Sequence, residues 1–106
     1  MLFHRGTPGA LHYVASKGAV IGLTYALARE LGPEGIAVNC LVPSQVRTET
    51  ANSDYGAYVD AVVAEQAVPH YQLPDDLVGA VLWLASGASG FTTGQTIMAE
   101  GGRIFL

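Results

Sequence analysis

A tyrosine and a lysine near the start of the chain, Tyr13 and Lys17, have the residue types and the spacing for acid–base chemistry. On an α-helix, residues at positions i and i+4 lie on one face, one above the other. A free tyrosine side chain has a pKa of about 10, and a nearby cation favours its phenolate form. The pair could therefore give a proton to a carbonyl oxygen or take one from an alcohol. Because short motifs also arise by chance, a solvated helix face without a catalytic role is the alternative interpretation.

The element that would carry this pair is a helix from about residue 12 to 31. Its apolar stripe recurs at steps of three and four residues and consists of Val20, Leu23, Leu27 and Leu31. Gly32-Pro33 supplies the residue types that commonly end a helix. A second face has only small side chains, which predicts close approach by another element. Its members are Ala15, Gly18, Ala19, Gly22 and Ala26.

The rest of the chain alternates strands with helices. Residues 36–42 form a continuous apolar run between Gly35 and Pro43, which is typical of a strand buried on both faces of a parallel sheet. Two further helices and a second strand are predicted at 54–66, 74–86 and 95–98. This alternation favours parallel pairing, and two strands are too few for a complete sheet of that kind. The sequence therefore predicts an α/β fold that is a portion of a larger doubly wound domain.

The composition excludes several classes of function. The 106 residues carry a net charge of −4 and five dispersed basic residues, so no basic patch is available for nucleic acid or an anionic membrane. No apolar run approaches the roughly 18 residues of a membrane span, and we expect no secretory signal. The three histidines are scattered without metal-ligand spacing, so no metal site is predicted. The single cysteine, Cys40, fits a reducing, cytoplasmic location and the role of a small buried hydrophobe.

The sequence also resembles a known family. The segment YVASKGAVIGLTYALARELGPEGIAVNCL, residues 13–41, resembles the active-site helix and following strand of the short-chain dehydrogenases/reductases. The resemblance continues in the family's order at 43–48, 73–77, 82–86, 93–95 and 100–102. It implies the C-terminal portion of a doubly wound, Rossmann-like parallel-sheet domain. Residues 1–106 would be the C-terminal part of a single NAD(P)-binding domain, from its active-site helix to its last strand.

The resemblance implies roles for five residues. Tyr13 matches the family's general acid/base. Lys17 matches the lysine that lowers the pKa of that tyrosine and hydrogen-bonds the nicotinamide ribose. Pro43, Val46 and Thr48, in the loop after the strand, match contacts to the cofactor, which is NAD or NADP.

Other positions depart from the family pattern. Ser44 stands where glycine is commoner, which questions the local backbone conformation. Asn39 interrupts an apolar strand, and we interpret it as a buried amide hydrogen-bonded locally and not as a catalytic group. The family's carbonyl-polarising serine and Gly-rich phosphate-binding turn have no counterpart among the 106 residues. We therefore expect a truncated representative whose 106 residues alone are inactive.

Three functions remain open at this point. The favoured one is an oxidoreductase whose full-length parent, a homo-oligomer (dimer or tetramer) like its relatives, transfers hydride between NAD(P)(H) and a small carbonyl compound or secondary alcohol. The second is a catalytically dead fragment that acts as an oligomerisation or interaction module. The third is the epimerase/dehydratase branch, which shares Tyr-xxx-Lys. The Glu100-Gly101-Gly102 ending and the strand entry at Thr93-Gly94-Gln95 favour the reductase branch.

The excursion over residues 44–72 bears on the substrate, because in relatives this segment forms a lid. Arg47 is its only Lys or Arg, whereas a phosphate or carboxylate site usually clusters cations. We therefore expect an uncharged, moderately apolar ketone or secondary alcohol. The aromatic and apolar residues of the lid, which could instead simply pack it against the domain, are Tyr55, Tyr58, Val59, Val62, Val63, Val68 and Tyr71.

Overall fold

The first helix confirms the sequence prediction closely. The computed structural model describes residues 5–48 and 56–105. Helix α1 spans Leu11–Leu31 and passes directly into a short 3₁₀ turn, Gly32–Glu34. Gly35 ends that turn with φ of 79°, a left-handed conformation that glycine adopts without strain. Helix α1 therefore ends at the predicted residue, but Gly32 itself keeps a right-handed helical conformation with φ of −54°, and the left-handed glycine is Gly35.

Within the described residues, two parallel strands form the sheet. Strand β1 spans Cys40–Pro43 and strand β2 spans Thr96–Ala99, with Cys40 opposite Thr96 and Pro43 opposite Ala99. Parallel pairing is confirmed. The predicted strand 36–42 was wrong at its start by four residues, and the second strand is shifted by one residue from 95–98.

The late start of β1 is caused by the turn that lies opposite it, at Thr93 and Gly94. Before the ladder begins, the Val38 N–H donates to the Thr93 side chain at 3.0 Å, and the Val38 carbonyl accepts from Gly94 at 2.7 Å. Gly94 has φ of 69°, so the chain opposite Val38 is turning and not extended. Regular backbone pairing begins only where the Cys40 N–H reaches the Gln95 carbonyl at 2.8 Å.

The described part of the connection between the strands contains two α-helices and a short 3₁₀ helix, Gly87–Ser89. Helix α2 spans Gly56–Ala64 and helix α3 spans Asp75–Leu84. The first two residues of the predicted helix 54–66 lie outside the described residues, and α2 ends two residues early. Asp75 and Asp76 occupy the first turn of α3, as predicted, and an Asp76 carboxylate oxygen accepts the Leu73 N–H at 2.7 Å. Helix α3 ends at Leu84, before the predicted 86.

Helix α1 packs against the turn that precedes β2 through a contact between two small residues, Ala28 and Gly94. A Cβ built on Gly94 would lie 3.4 Å from the Cβ of Ala28, which is itself buried. No such approach is found at Gly22, around which the described residues leave 4 Å of open space. The close contact of α1 that the described residues show therefore involves Ala28, on the opposite side of the helix from the predicted small-residue face; Thr24 and Ala28 are the buried residues of α1.

The C-terminal turn is tied to the end of α2. Gly101 accepts the Val68 N–H at 2.8 Å and adopts φ of 72°. Glu65 receives Arg103 Nε at 2.6 Å and both terminal nitrogens of Arg5, at 2.7 and 3.3 Å. These two arginines, Arg103 first, hold the pKa of the Glu65 carboxyl below its ordinary value of 4.5.

Much of the apolar surface is not covered within the described residues. Ala28 and Val62 are the buried apolar side chains there, whereas Leu23, Leu82 and Phe91 are exposed. Val20 and Leu23, half of the predicted apolar stripe of α1, lie on this exposed surface. Within the part of the chain that the structure describes, no helix combines the length and apolarity needed to cross a bilayer.

Candidate active site

Tyr13 and Lys17 share one exposed face in the first turns of α1. The Lys17 Nζ lies 5.2 Å from the centroid of the Tyr13 ring, which is a cation–π contact. The ammonium group therefore lies over the ring face, and 41% of Tyr13 is exposed. The predicted i, i+4 juxtaposition is present, in a geometry that leaves the phenol accessible to a reactant.

The loop after β1 leaves the sheet at its carboxyl edge. Pro43 is the last residue of the strand, and Val46 forms a parallel bridge with Gln72. The Arg47 N–H donates to the Gln72 carbonyl at 2.8 Å, while Thr48 is exposed. The structure thus brings Pro43 and Val46 together on one clamped loop, while the Tyr13–Lys17 pair stands on a different element.

Ser44 resolves the backbone question raised by its replacement of glycine. Every described residue with a positive φ is a glycine, so Ser44 adopts an ordinary conformation. Its N–H donates to Gln72 Oε1 at 2.6 Å, and its hydroxyl donates to Gln66 Oε1 at 2.7 Å. A serine fits this position and adds a hydrogen bond that glycine cannot make.

Asn39 lies at the opposite, amino end of β1. Its side chain donates to the Thr92 carbonyl at 2.9 Å and accepts the Gln95 N–H at 3.1 Å. The prediction of a hydrogen-bonded amide is confirmed. The prediction of a buried side chain with local partners was wrong, because Asn39 is only half-buried and its partners lie 53 and 56 residues away in sequence. Asn39 supplies side-chain bonds where the two strands have not yet formed a regular ladder.

Tyr71, near the end of the lid segment, connects the loop after β1 to helix α2. The guanidinium carbon of Arg47 lies 5.1 Å from the centroid of the Tyr71 ring. The Tyr71 hydroxyl donates a short hydrogen bond to Asp60 of α2. This hydrogen bond is the main reason that the pKa of Tyr71 is raised above its ordinary value of 10.0. Arg47, Tyr71 and Asp60 therefore connect the loop to helix α2.

Sequence reasoning missed two residues of this region, Gln66 and Gln72. Both are buried, and both bind Ser44 through their side-chain amides. Their spacing in the sequence follows no motif. The one available indication was the occurrence of two neutral amides in the segment 66–74 before α3, which has no Asp, Glu, Lys or Arg.

Comparisons with known proteins agree with this architecture. Residues 1–103 match the family model described as enoyl-(acyl carrier protein) reductase. Over 100 residues the chain is 43% identical to a short-chain dehydrogenase/reductase of Hericium erinaceus, covering 93% of this chain and 40% of that protein. The chain belongs to the short-chain dehydrogenase/reductase family. It spans about two fifths of the Hericium relative.

Solved structures of short-chain dehydrogenases/reductases share the fold. The crystal structure of such a protein from Brucella melitensis matches with a TM-score of 0.87 at 29% identity, covering 100% of this chain and 43% of that one. A blue fluorescent protein from a metagenomic library, solved in complex with NADPH, matches with a TM-score of 0.84 at 34% identity, covering 98% of this chain and 42% of that one. The predicted fold class, α/β with the parallel sheet of a Rossmann-like domain, is confirmed.

Proposed function

We propose that the chain forms the C-terminal part of a single NAD(P)-binding oxidoreductase domain that moves a hydride between NAD or NADP and a carbonyl or secondary-alcohol substrate. The observation that carries this proposal is the Tyr13–Lys17 pair, with Nζ 5.2 Å from the ring centroid on an exposed helix face. A phenol beside an ammonium group is a proton donor whose conjugate base has a counter-charge at hand.

The described residues fit a nicotinamide cofactor. Ligands of doubly wound folds bind outside the carboxyl ends of the strands, and the loop that begins at Pro43 leaves the sheet at this edge. Pro43, Val46 and Thr48 would contact the cofactor there, and the Lys17 ammonium offers donors for ribose hydroxyls. When bound, the cofactor supplies or accepts the hydride.

In the direction of reduction, the Tyr13 hydroxyl donates its proton to the substrate oxygen. In oxidation, the Tyr13 oxygen accepts the proton of the alcohol. Lys17 stabilises the negative charge that develops on the Tyr13 oxygen when the proton leaves. For this role the Lys17 side chain changes rotamer, because its ammonium group now lies over the ring.

The described residues of the lid segment favour an uncharged substrate. The Arg47 guanidinium makes a cation–π contact with the Tyr71 ring, and the Tyr71 hydroxyl donates a hydrogen bond to Asp60. The buried side of α2 is apolar, since Val62 is only 1% exposed. Tyr58 of the same helix is 42% exposed. Some lid residues therefore pack inward, as the alternative interpretation expects, and Tyr58 is left to contact a moderately apolar ketone or alcohol.

The test uses a fusion, here called the completed protein. It joins the part of the Hericium erinaceus relative outside the matched region to residues 1–106. We expect the completed protein to oxidise reduced nicotinamide with neutral ketones, and to prefer them in kcat/KM to phosphorylated or carboxylated ones. Tyr13→Phe should lower kcat by at least about a hundredfold with little change in cofactor affinity. Tyr25→Phe, at an exposed tyrosine of the same helix, is the matched control.

Retention of most activity by Tyr13→Phe would refute the catalytic role of Tyr13. A preference for charged substrates would refute the substrate class without affecting that role.

A second candidate function is an interaction module without catalysis. It is favoured by the exposed apolar side chains of α1 and α3, among them Leu23, Val81 and Leu82. A module of this kind would form a stable homo-oligomer from the 106-residue chain alone. The oxidoreductase, in contrast, would be active only as the completed protein. Analytical ultracentrifugation of the chain, followed by the activity assay of the completed protein, separates the two functions.

A further inference from the structure

One residue holds both ends of the segment Ser44–Arg47. The Gln72 side chain accepts the Ser44 N–H through Oε1 at 2.6 Å. The Gln72 backbone carbonyl accepts the Arg47 N–H at 2.8 Å, and the same residue forms the bridge with Val46. The segment is therefore gripped at its first and last residues by a single partner.

The other end of the same amide reaches the second strand. Gln72 Nε2 donates to the carbonyl of Ala99 at 2.6 Å, and Ala99 is the residue of β2 that pairs with Pro43. Gln72 is 8% exposed, so neither bond is shared with bulk water. A neutral amide can accept from an N–H and donate to a carbonyl at once, whereas a carboxylate only accepts. The two partners thus fix the orientation of the Gln72 amide, and an ionised carboxylate in its place could not make both bonds.

A second buried amide supports the first. Gln66 Oε1 accepts the Ser44 hydroxyl at 2.7 Å, and Gln66 Nε2 donates to the carbonyls of Val68 and His70 at 2.9 and 3.0 Å. A Cβ on Gly101 would come within 3.0 Å of Gln66 Nε2. Glycine at this position leaves room for the amide. Gln66 therefore fixes the turn that leads to Gln72 and holds Ser44 from a second side.

We propose that Gln72 is a positioning residue that sets the loop Pro43–Thr48 for the nicotinamide cofactor, with Gln66 as its support. The inference rests on the proposed function, because that function assigns cofactor contacts to this loop. Without the clamp the loop samples other conformations, and the cofactor must select the competent fraction, which lowers its apparent affinity. The proton transfer at Tyr13 stands on another element and is not affected once the cofactor is bound.

The first measurement compares Gln72→Met with the unmodified completed protein. Methionine keeps the length of the side chain and removes both hydrogen bonds. We expect the Kd for the cofactor to rise at least about tenfold, while kcat at saturating cofactor stays within about twofold. Gln95→Met is the matched control, since the Gln95 amide is exposed and donates to the Thr93 carbonyl at 3.0 Å. The control should leave the Kd unchanged.

The second measurement uses Gln72→Glu and covers the case in which Gln72→Met does not fold. The carboxylate cannot donate to Ala99, but the protonated acid can donate to Ala99 and accept from Ser44. Asp76 and Glu100 line the same cavity, of about 290 Å³, together with His70. Burial beside these carboxylates favours the protonated form of the introduced acid. The ratio of its Kd to that of the unmodified protein should fall towards one as the pH is lowered.

The third measurement follows the clamp in the 106-residue chain itself. Amide hydrogen exchange of Ser44 should accelerate at least about tenfold in Gln72→Met and remain unchanged in Gln95→Met. An unmodified completed protein that binds neither NAD nor NADP overturns the proposed function, and with it this inference. Cofactor binding that Gln72→Met leaves intact, or a Gln72→Glu ratio that does not depend on pH, overturns the inference alone.

Discussion

The Lys17 ammonium lies over the face of the Tyr13 ring, 5.2 Å from its centroid. This cation–π contact holds the Lys17 side chain beside the phenol while both side chains remain exposed. For the lysine to serve a cofactor hydroxyl, it must leave the ring and extend past it. Both proposed roles of Lys17, charge stabilisation at the Tyr13 oxygen and cofactor binding, therefore require a second, extended rotamer.

Replacement of Lys17 by alanine tests both roles at once. In the completed protein, Lys17→Ala should lower kcat by at least about a hundredfold and should also weaken cofactor binding about tenfold. Steady-state kinetics with cofactor titration measures the two effects separately. Arg29→Ala, at an exposed cation in the last turn of the same helix, should leave both unchanged. A loss confined to kcat would remove the proposed contact with the ribose.

The 106-residue chain by itself should neither bind NAD or NADP measurably nor turn over an alcohol. Dinucleotide affinity in this fold comes largely from a glycine-rich strand-to-helix turn, and no such motif occurs in the sequence. Isothermal titration calorimetry of the purified chain is the measurement. A sub-millimolar affinity for either nucleotide would contradict the prediction.

The Glu65 cluster predicts a pH dependence of stability. Because Arg103 and Arg5 depress the pKa of Glu65, its contribution to stability is fully present above the unfolded value of about 4.5. That contribution is lost as the pH falls through the depressed folded value. Glu65→Gln should therefore flatten the fall in the free energy of unfolding below about pH 4.5, as measured by denaturant unfolding at several pH values.

The size of this effect is expected to be small, because the Glu65 and Arg5 side chains are 42% and 41% exposed and solvent screens their charges, although Arg103 is only 7% exposed. Glu30→Gln, at an exposed acid of α1, is the matched control. An equal flattening by both substitutions would show that general charge, and not the arginine pair, causes the effect.

Asn39 should matter for stability and not for catalysis. Asn39→Ala leaves the Thr92 carbonyl and the Gln95 N–H without their side-chain partner, which should lower the free energy of unfolding by about 0.5–1.5 kcal/mol, because both groups are partly accessible to water. Gln95→Ala removes an exposed amide and should cost less than about 0.5 kcal/mol. Chemical denaturation of the two variants measures the difference. Equal stabilities would mean that the cross-strand amide contributes nothing.

The sequence was sufficient for elements whose cause is local. Helix α1 follows from its apolar period and from Gly32-Pro33, and the first turn of α3 follows from Asp75 and Asp76. The spacing of Tyr13 and Lys17 was enough to place them on one face. It did not show that the ammonium contacts the ring face, because rotamers depend on the surroundings.

Features that depend on distant partners could not be predicted. The start of β1 depends on the Thr93 side chain and on a turn at Gly94, both more than fifty positions away. The role of Gln66 and Gln72 is recognisable only in the fold, where both side chains accept hydrogen bonds from Ser44. Periodicity carries no information on such pairs, since each glutamine is an unremarkable polar residue in its own segment.

The pairing of β1 with β2 also has a consequence for how the chain is made. Asn39 and Gln95 are 56 residues apart, so the sheet has a high contact order and closes a long loop. During synthesis, β1 leaves the ribosome well before its partner strand exists. The amide of Gln72 lacks its Ala99 acceptor throughout that interval. The loop proposed to meet the cofactor can therefore reach its final shape only after strand β2 has been synthesised.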